Sequence, residues 1–403
     1  MTDVTSRAGA APAVRIQTLD VVRGAAVLGI LAVNIVAFAL PLAAEISPAQ
    51  VSFATAPGAH LAQWVVDVFF QQKFVTLFSM LFGVSIFLVG GPRSDAGRGR
   101  LLRRRLFWLA VIGILHGAAF WYGDILLLYA WSGLFVMLMR DWSARTLILA
   151  GGGVTLALAT SQAASLIMLA SNPDLFGSMD AGVAEDAVAQ AIAAYTSGWS
   201  GMMIENLKTW GLAQGASLVA YVFPTIALML LGLGLFKAGF FHGRLPLRTY
   251  LGLMALGAGV LVVLGVLKWI ELGSGPSEDA TRGWAMAVLS YSILISLAYA
   301  SALVLLTIHG GGWVRRLLAP VGQMAFTNYL SQTLIMTSLF YMPWGPRLMG
   351  QVDYPAQWLF VIAVWALQLV WSPLWLRHFR MGPLEWVWRC LTHGQRLPLR
   401  RTA

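Results

Sequence analysis

Residues 113–133 read GILHGAAFWYGDILLLYAWSG, an apolar stretch whose strongly polar members are one imidazole, His116, and one carboxylate, Asp124. Apolar runs of similar length recur along the 403-residue chain, which is 58% hydrophobic and only 11% charged. About a quarter of the residues in a soluble protein are charged, and roughly eighteen apolar residues suffice to cross a bilayer core of about 30 Å. The sequence therefore predicts an all-α, polytopic membrane helix bundle.

The hydropathy pattern divides the chain into three parts. Residues 1–20 form an N-terminal segment, 21–376 form one transmembrane domain with an external loop at 172–207, and 377–403 form a basic amphipathic tail. The first apolar run is about 20 residues long and lacks a convincing cleavage site, so we expect it to be retained as a helix. About ten transmembrane helices are predicted, at 21–41, 62–90, 104–122, 124–140, 145–171, 208–236, 249–270, 284–308, 322–343 and 355–376.

The basic residues predict the orientation of these helices. Of the 27 Lys and Arg residues, 22 lie in the segments on one side of the ten-helix map, and 4 lie on the other. Short loops rich in Lys and Arg stay in the cytoplasm, so both termini are expected to be cytoplasmic. This arrangement corresponds to a multi-pass membrane protein, with the bilayer as its main partner.

The composition also argues against several classes of function. The net charge of +10 is spread beside membrane spans, which does not indicate a nucleic-acid-binding face. The single Cys390 excludes an internal disulfide, and the six histidines lack metal-binding spacing, so no metal site is predicted. We expect no permanently bound cofactor, and the sequence leaves the oligomeric state open.

His116 is the polar residue that the membrane setting makes hardest to explain. It lies 11 residues beyond Arg105, about 16 Å along a helix and thus near the bilayer midplane. Polar groups at that depth usually face a partner or a cavity. His116 is therefore a candidate catalytic base, or else an interhelical hydrogen-bonding residue. Asp124 is either the N-cap of the fourth helix or the residue that orients His116, if the turn at Gly123 folds back.

The first helix carries a similar polar pattern. Asp20 and Arg23 lie three residues apart at its cytoplasmic start, where a salt bridge and an orientation signal are the simplest interpretation. Asn34 lies about 16 Å further in, at a depth close to that of His116. We expect Asn34 either to bind a neighbouring helix or to share a site with His116.

Further polar residues lie on the cytoplasmic half. Asn328 and Gln332 are four residues apart and share one helix face, where they either support packing or line a cavity. The basic loop RSDAGRGRLLRRRLFW, with Arg103, Arg104 and Arg105, suits anionic lipid or a phosphate-bearing ligand.

Five stretches carry a family resemblance. They are TLDVVRGAAVLGILAVNI (18–35), KFVTLFSMLFG (73–83), ILHGAAFWYGDILLLYAWSGL (114–134), GQMAFTNYLSQTLI (322–335) and LRHFRMGPLEWVWRCLT (376–392). Together they resemble the YeiB family of bacterial inner-membrane proteins, a domain of unknown function, over nearly the whole chain. The opening stretch also resembles, more distantly, membrane acyltransferases of the heparan glucosaminide N-acetyltransferase type.

The distant resemblance implies a chemistry. In such enzymes acyl-CoA binds from the cytoplasm and an acceptor arrives from the other side, here the periplasm. An Asn on the first helix and a following His serve the transfer; Asn34 corresponds to that Asn, and His60 is the nearest match to that His. His116 is a second candidate, since a neutral imidazole can take the proton of an acceptor hydroxyl.

Two functions from different classes follow. One is an acyltransferase in which His116, Asn34 and Asp124 carry the catalysis, while Arg23, the three loop arginines, Asn328 and Gln332 bind the acyl-CoA. The other is a transporter or exporter of a small molecule, because polar residues at the midplane of a many-helix bundle are typical of such proteins. An assembly protein without catalytic activity is a third alternative.

Overall fold

The computed structural model describes residues 16–46, 51, 56–172, 186–274 and 279–401. In this part of the chain the regular structure is helical, apart from a single bridge between Phe379 and Arg400. The α-helices are α1 (Gln17–Ala39), α2 (Leu42–Ile46), α3 (Ala59–Val65), α4 (Lys73–Gly90), α5 (Ala96–Ala119), α6 (Leu126–Met139), α7 (Ala144–Ala170), α8 (Ala187–Thr196), α9 (Trp199–Ala220), α10 (Val222–Lys237), α11 (Leu247–Ser274), α12 (Asp279–Leu289), α13 (Ser292–Ile308), α14 (Gly312–Gln323), α15 (Ala325–Phe340), α16 (Tyr354–His378) and α17 (Pro383–His393).

The prediction of an all-α bundle is confirmed, and each of the ten apolar segments coincides with helix. Three of the segments are broken. The second contains α3, a π-helix at Val66–Phe70 and then α4, and the sixth consists of α9 and α10, bent by 60°. The eighth consists of α12 and α13, bent by 46°. An apolar run in a sequence therefore marks the span but not its breaks.

Within the described residues, five helical segments are long and apolar enough to cross a membrane, with α3, the π-helix and α4 counted as one, or up to seven when each bent pair is counted as one span. The other predicted spans fall short for identifiable reasons. α6 has 14 residues and α15 has 16, about 21 and 24 Å at 1.5 Å per residue. α5 has 24 residues, but its first third is rich in arginine.

The burial pattern is that of a membrane protein. In the most apolar 18-residue stretches of α7, α11 and α16, only 17%, 22% and 28% of the residues are buried. Their outward faces carry large apolar side chains, among them Val262 and Leu359, which are 65% and 69% exposed. Exposed apolar surface on this scale is stable only against lipid or another apolar partner.

α1 is the central helix of the bundle, since 67% of the residues in its most apolar stretch are buried. It packs against α4, α13, α14, α15 and α16. Its contact with α14 is made close by two glycines, since a methyl group on Gly24 would strike the carbonyl of Leu318 and one on Gly322 would strike the carbonyl of Asp20. This packing fixes the position of Arg23, one residue before Gly24.

The tail helix α17 packs against α5 and α15. Trp388 is 7% exposed and donates a hydrogen bond from Nε1 to the carbonyl of Arg105, at 3.0 Å. The amphipathic pattern of this segment therefore reflects docking against the bundle at the ends of two spans.

Candidate functional site

The turn between α5 and α6 brings the two polar residues of the opening stretch together. α5 ends at Ala119, and the chain folds back through Gly123 so that α6 begins at Leu126. Asp124 Oδ2 accepts a hydrogen bond from the backbone N–H of Leu127 at 2.9 Å, which satisfies a donor in the first turn of α6. Asp124 therefore caps the start of α6, from one residue before the N-cap position, which is Ile125.

Asp124 also orients His116. Its Oδ1 lies 2.8 Å from Nδ1 of His116, and the two side chains are 0% and 4% exposed. An ionised carboxylate can only accept, so Nδ1 carries the proton in the neutral imidazole and Nε2 has a free electron pair. The sequence left this interaction open, because a continuous helix through Gly123 would have kept the two side chains apart.

Nε2 of His116 faces a hydroxyl group on another helix. The distance to Oγ1 of Thr333, on α15, is 3.0 Å, and Thr333 is 1% exposed. With Nε2 as the acceptor, the Thr333 hydroxyl donates its hydrogen to the imidazole. Asp124, His116 and Thr333 thus form a buried hydrogen-bonded chain of carboxylate, imidazole and hydroxyl. Nothing in the sequence distinguishes Thr333 from the other polar residues of its span.

Asn34 lies outside this chain of hydrogen bonds. It is half-buried on α1, and its side chain makes no hydrogen bond to another described residue. His60 lies elsewhere, at the start of α3, where its ring packs 4.5 Å from that of Trp269 on α11. Of the two histidines considered in the sequence, only His116 contacts a carboxylate within the described residues.

A cavity of about 150 Å³ lies beside the middle of α5, beneath the tail helix. Arg23 and Arg105 both line it, and Glu385 is the carboxylate in its wall. Its remaining lining is largely apolar and aromatic, with Phe78, Phe82, Leu109, Leu126, Tyr129, Phe326 and Trp388 among the members. The cavity is therefore an apolar chamber with two guanidinium groups.

The charged groups of the cavity are unequally satisfied. Glu385 accepts hydrogen bonds from the backbone N–H groups of Phe326 and Thr327, at 2.7 and 3.0 Å, and one from the Thr327 hydroxyl. Arg23 Nη1 lies 3.4 Å from Asp20, as the sequence predicted. Arg105 lies 3.7 Å above the ring of Trp388 and forms no salt bridge or side-chain hydrogen bond within the described part of the chain.

The other predicted ligand-binding residues lie elsewhere. Arg103 and Arg104 are exposed, and neither lines the cavity. Asn328 and Gln332 are 0% and 2% exposed and belong to a packing network between helices. Asn328 Nδ2 donates to Ser372 at 3.1 Å, and Gln332 Nε2 donates to Gln368 at 2.9 Å. The structure thus places these two amides in the packing role that was one of their alternatives.

Fold and site together define the class of protein: an all-α membrane bundle with a buried imidazole–carboxylate pair and a separate arginine-lined cavity. Residues 235–395 match the family described as "Protein of unknown function (DUF418)". The chain is 35% identical over 393 residues to the uncharacterized protein YeiB of Escherichia coli (strain K12), covering 93% of this chain and 95% of that protein. It is 30% identical to the uncharacterized protein YxaH of Bacillus subtilis (strain 168), covering 94% of each. The chain therefore belongs to this YeiB-like family, and the predicted resemblance to that family is confirmed. No solved structure matches it.

Proposed function

We propose that this protein is an acyltransferase of the bacterial inner membrane, which transfers an acyl group from cytoplasmic acyl-CoA to a hydroxyl or amine on the periplasmic side. The observation that carries the proposal is the contact of His116 with Asp124 at Nδ1, which leaves Nε2 aimed at a hydroxyl. A base that activates a hydroxyl needs this arrangement, with the imidazole held in one tautomer by a buried carboxylate.

The burial of the pair supports this role. A buried carboxylate holds a catalytic imidazole in one tautomer and one orientation. The two side chains are almost completely buried, so water does not weaken their interaction. Asn34, which the resemblance to acyltransferases would place at the thioester, makes no hydrogen bond to this pair within the described residues.

The arginine-lined cavity supports a donor with an anionic group. Arg23 and Arg105 provide two positive charges at the end of the bundle that the basic loops place in the cytoplasm. Guanidinium groups bind phosphate through paired hydrogen bonds, and acyl-CoA carries several phosphates on its cytoplasmic portion. No further cofactor is needed for such a transfer.

The test is acyl transfer by the purified protein. Wild-type protein in detergent, given acetyl-CoA labelled in the acetyl group, should release free CoA and transfer the label to an acceptor or to water. His116→Gln should abolish this reaction, since an amide cannot accept the proton. Expression and melting temperature equal to those of the wild type are required, and full activity in that variant would refute the proposal.

A transporter is the second candidate, and a separate observation favours it. Two broken helices meet at Lys73, which is fully buried and whose Nζ donates to the carbonyl of Asp67 at 2.7 Å. Gln72 has a φ of 64° and accepts a hydrogen bond from Ser292, the first residue of α13, at 3.2 Å. Broken helices around a buried charge are typical of transport sites.

The acyltransferase and the transporter depend on different residues, so variants can distinguish them. In vesicles loaded with labelled organic anions or cations, a transporter should release one of them, and Lys73→Met should block the release while His116→Gln does not. An acyltransferase should show the opposite dependence in the acetyl-CoA assay. Protein-dependent release that requires Lys73, without acyl transfer, would replace the first proposal by the second.

A further inference from the structure

Thr333 makes an unusual hydrogen bond for a threonine inside a helix. Such hydroxyls ordinarily donate to the carbonyl four residues back in their own helix. Thr307 does so to Leu303 at 2.6 Å, and Ser79 does so to Val75 at 2.8 Å. Among the hydrogen bonds of the described residues, Thr333 has none to the carbonyl of Tyr329, and its side-chain partner is Nε2 of His116.

The direction of the hydrogen bonds follows from the carboxylate. Asp124 fixes the proton on Nδ1, so Nε2 accepts and the Thr333 hydrogen points at the imidazole. The distances are 2.8 Å from Asp124 to His116 and 3.0 Å from His116 to Thr333. Both lie within the range expected between an orienting carboxylate and its base, and between that base and its nucleophile. Thr333 thus occupies the position of a nucleophile. The hydroxyl that the base would activate is therefore a side chain of the protein and not that of the acceptor.

The same two helices connect this group to the arginine-lined cavity. Leu109 on α5 and Phe326 on α15 line the cavity, and His116 and Thr333 each lie seven residues further along those helices. Seven residues of α-helix span about 10 Å. A thioester at the end of a flexible arm of about that length would reach Thr333 while its anionic group stays with Arg23 and Arg105.

From this geometry we propose that Thr333 is the nucleophile of a two-step transfer and carries the acyl group as an ester between the steps. The proposal rests on the proposed acyltransferase function and deepens it. In the first step the Thr333 hydroxyl gives its proton to Nε2 of His116, and Oγ1 attacks the thioester carbonyl. The carbon–sulfur bond then breaks, and the thiolate of CoA leaves and takes the proton from Nε2.

The second step is the reverse with a new partner. The acceptor hydroxyl or amine gives its proton to Nε2 and attacks the carbonyl carbon of the ester. The bond from that carbon to Oγ1 breaks, and Nε2 returns the proton to the Thr333 oxygen. The overall reaction consumes acyl-CoA and acceptor and leaves the protein unchanged, so neither oxidant nor metal is required for balance.

The experiment uses two probes on the full-length protein in detergent. Labelled acetyl-CoA with an acid quench traps an acetyl ester, and an apolar fluorophosphonate labels a reactive hydroxyl independently of CoA. The variants are Thr333→Val, which removes the hydroxyl at nearly constant volume, and Thr333→Ser, which retains it. Thr337→Val is the matched control, because Thr337 is equally buried one turn further along α15 and its hydroxyl lies 3.4 Å from the carbonyl of Leu334. Each variant must melt at the wild-type temperature.

We expect both probes to label the hydroxyl at position 333 in the wild type, Thr333→Ser and Thr337→Val. Peptide mass spectrometry identifies the labelled position. The label should be lost in Thr333→Val and in His116→Gln. Acyl transfer that persists in Thr333→Val overturns this inference and leaves the acyltransferase intact. Fluorophosphonate labelling of Thr333 without any acetyl label supports the nucleophile and refutes the acyl-CoA donor. If neither probe labels Thr333 and no acyl transfer occurs, both proposals are wrong.

Discussion

Gly113 and Asp124 are so close that a side chain on the first would displace the second. A methyl group at Gly113 would lie 3.0 Å from Oδ2 of Asp124 and 2.6 Å from the backbone nitrogen of Leu127. Gly113 thus lets the α5–α6 turn fold back onto α5 and bring Asp124 to His116. Bulk at this position should separate the carboxylate from the imidazole.

We therefore predict that Gly113→Ala impairs both stability and the imidazole–carboxylate contact. Overpacking costs about 1–3 kcal/mol, which exceeds the gain of about 1 kcal/mol from replacing a helical glycine by alanine. Gly153→Ala is the control, since nothing lies within 4 Å of a methyl group there. Melting curves in detergent should show a lower melting temperature for Gly113→Ala than for Gly153→Ala. Equal or higher stability of Gly113→Ala would contradict the close packing.

The second prediction separates the orienting role of Asp124 from its capping role. Asp124→Asn retains an oxygen that can accept the Leu127 N–H, so the helix start should survive. The amide cannot stabilise a protonated imidazole, and acyl transfer should fall by roughly 10²-fold. His116→Gln should lose transfer completely. Initial rates for both variants at equal melting temperature provide the test, and an unchanged rate in Asp124→Asn would make the carboxylate purely structural.

Composition and hydropathy were enough to predict the helices, because each lipid-facing segment must satisfy its own backbone hydrogen bonds, but they did not show where helices break or fall short of a full span. They also marked His116 and Asp124, since both are costly at membrane depth. The contact between them depends on a turn that sequence periodicity does not describe. Thr333 could not be selected, because threonine is common in helices and only tertiary packing turns its hydroxyl away from its own backbone.

The sequence also could not show which arginine of the basic loop lines the cavity. Arg103, Arg104 and Arg105 are equivalent as a charge cluster, but successive residues of a helix point about 100° apart. Of the three, only Arg105 lines the cavity. The position of Trp388 against Arg105 was equally hidden, because an amphipathic segment has the same pattern on a membrane surface and on a protein surface.

This difference leads to a third prediction, on ligand binding. If acyl-CoA is the donor, Arg105→Gln and Arg23→Gln should each weaken CoA binding by about tenfold to a hundredfold, since a charge-assisted hydrogen bond contributes about 1.5–3 kcal/mol. Arg103→Gln should change it little because Arg103 is exposed and does not line the cavity. Isothermal titration with CoA in detergent measures all three. Equal losses at Arg103 and Arg105 would indicate general electrostatic attraction to the basic loop.

The fourth prediction concerns orientation, which rests on the loop charges. Reporters fused after residue 145 or at the C-terminus should show cytoplasmic activity, whereas one inserted at 175–200 should be periplasmic. That insertion range includes residues 175–185, which lie outside the described part of the chain. Paired phosphatase and fluorescent-protein fusions provide the measurement, with an expression control for each. A cytoplasmic signal from 175–200 would invalidate the ten-span map.

The last prediction concerns Glu385, which connects the tail helix to the N-terminus of α15. Burial raises the pKa of Glu385 above its ordinary value, and the hydrogen bonds from Thr327 and Phe326 oppose part of that shift. A carboxyl group whose pKa is higher in the docked state stabilises docking fully below its ordinary pKa of 4.5, and this contribution is lost as the pH rises through the raised value. We therefore expect α17 to dock more loosely as the pH rises through that range.

Cys390, the single cysteine, lies half-buried on α17, where the rate of its reaction with a thiol reagent measures how loosely the tail is held. Its rate of reaction with a maleimide should rise with pH more steeply in the wild type than in Glu385→Gln, which cannot ionise but retains an acceptor for the N–H groups of Phe326 and Thr327. The Gln variant also corrects for the greater reactivity of the thiolate at higher pH. Glu385→Ala, which leaves those donors unpaired, should react fastest at every pH. Identical pH profiles for the wild type and Glu385→Gln would show that ionisation of Glu385 does not control the docking of the tail.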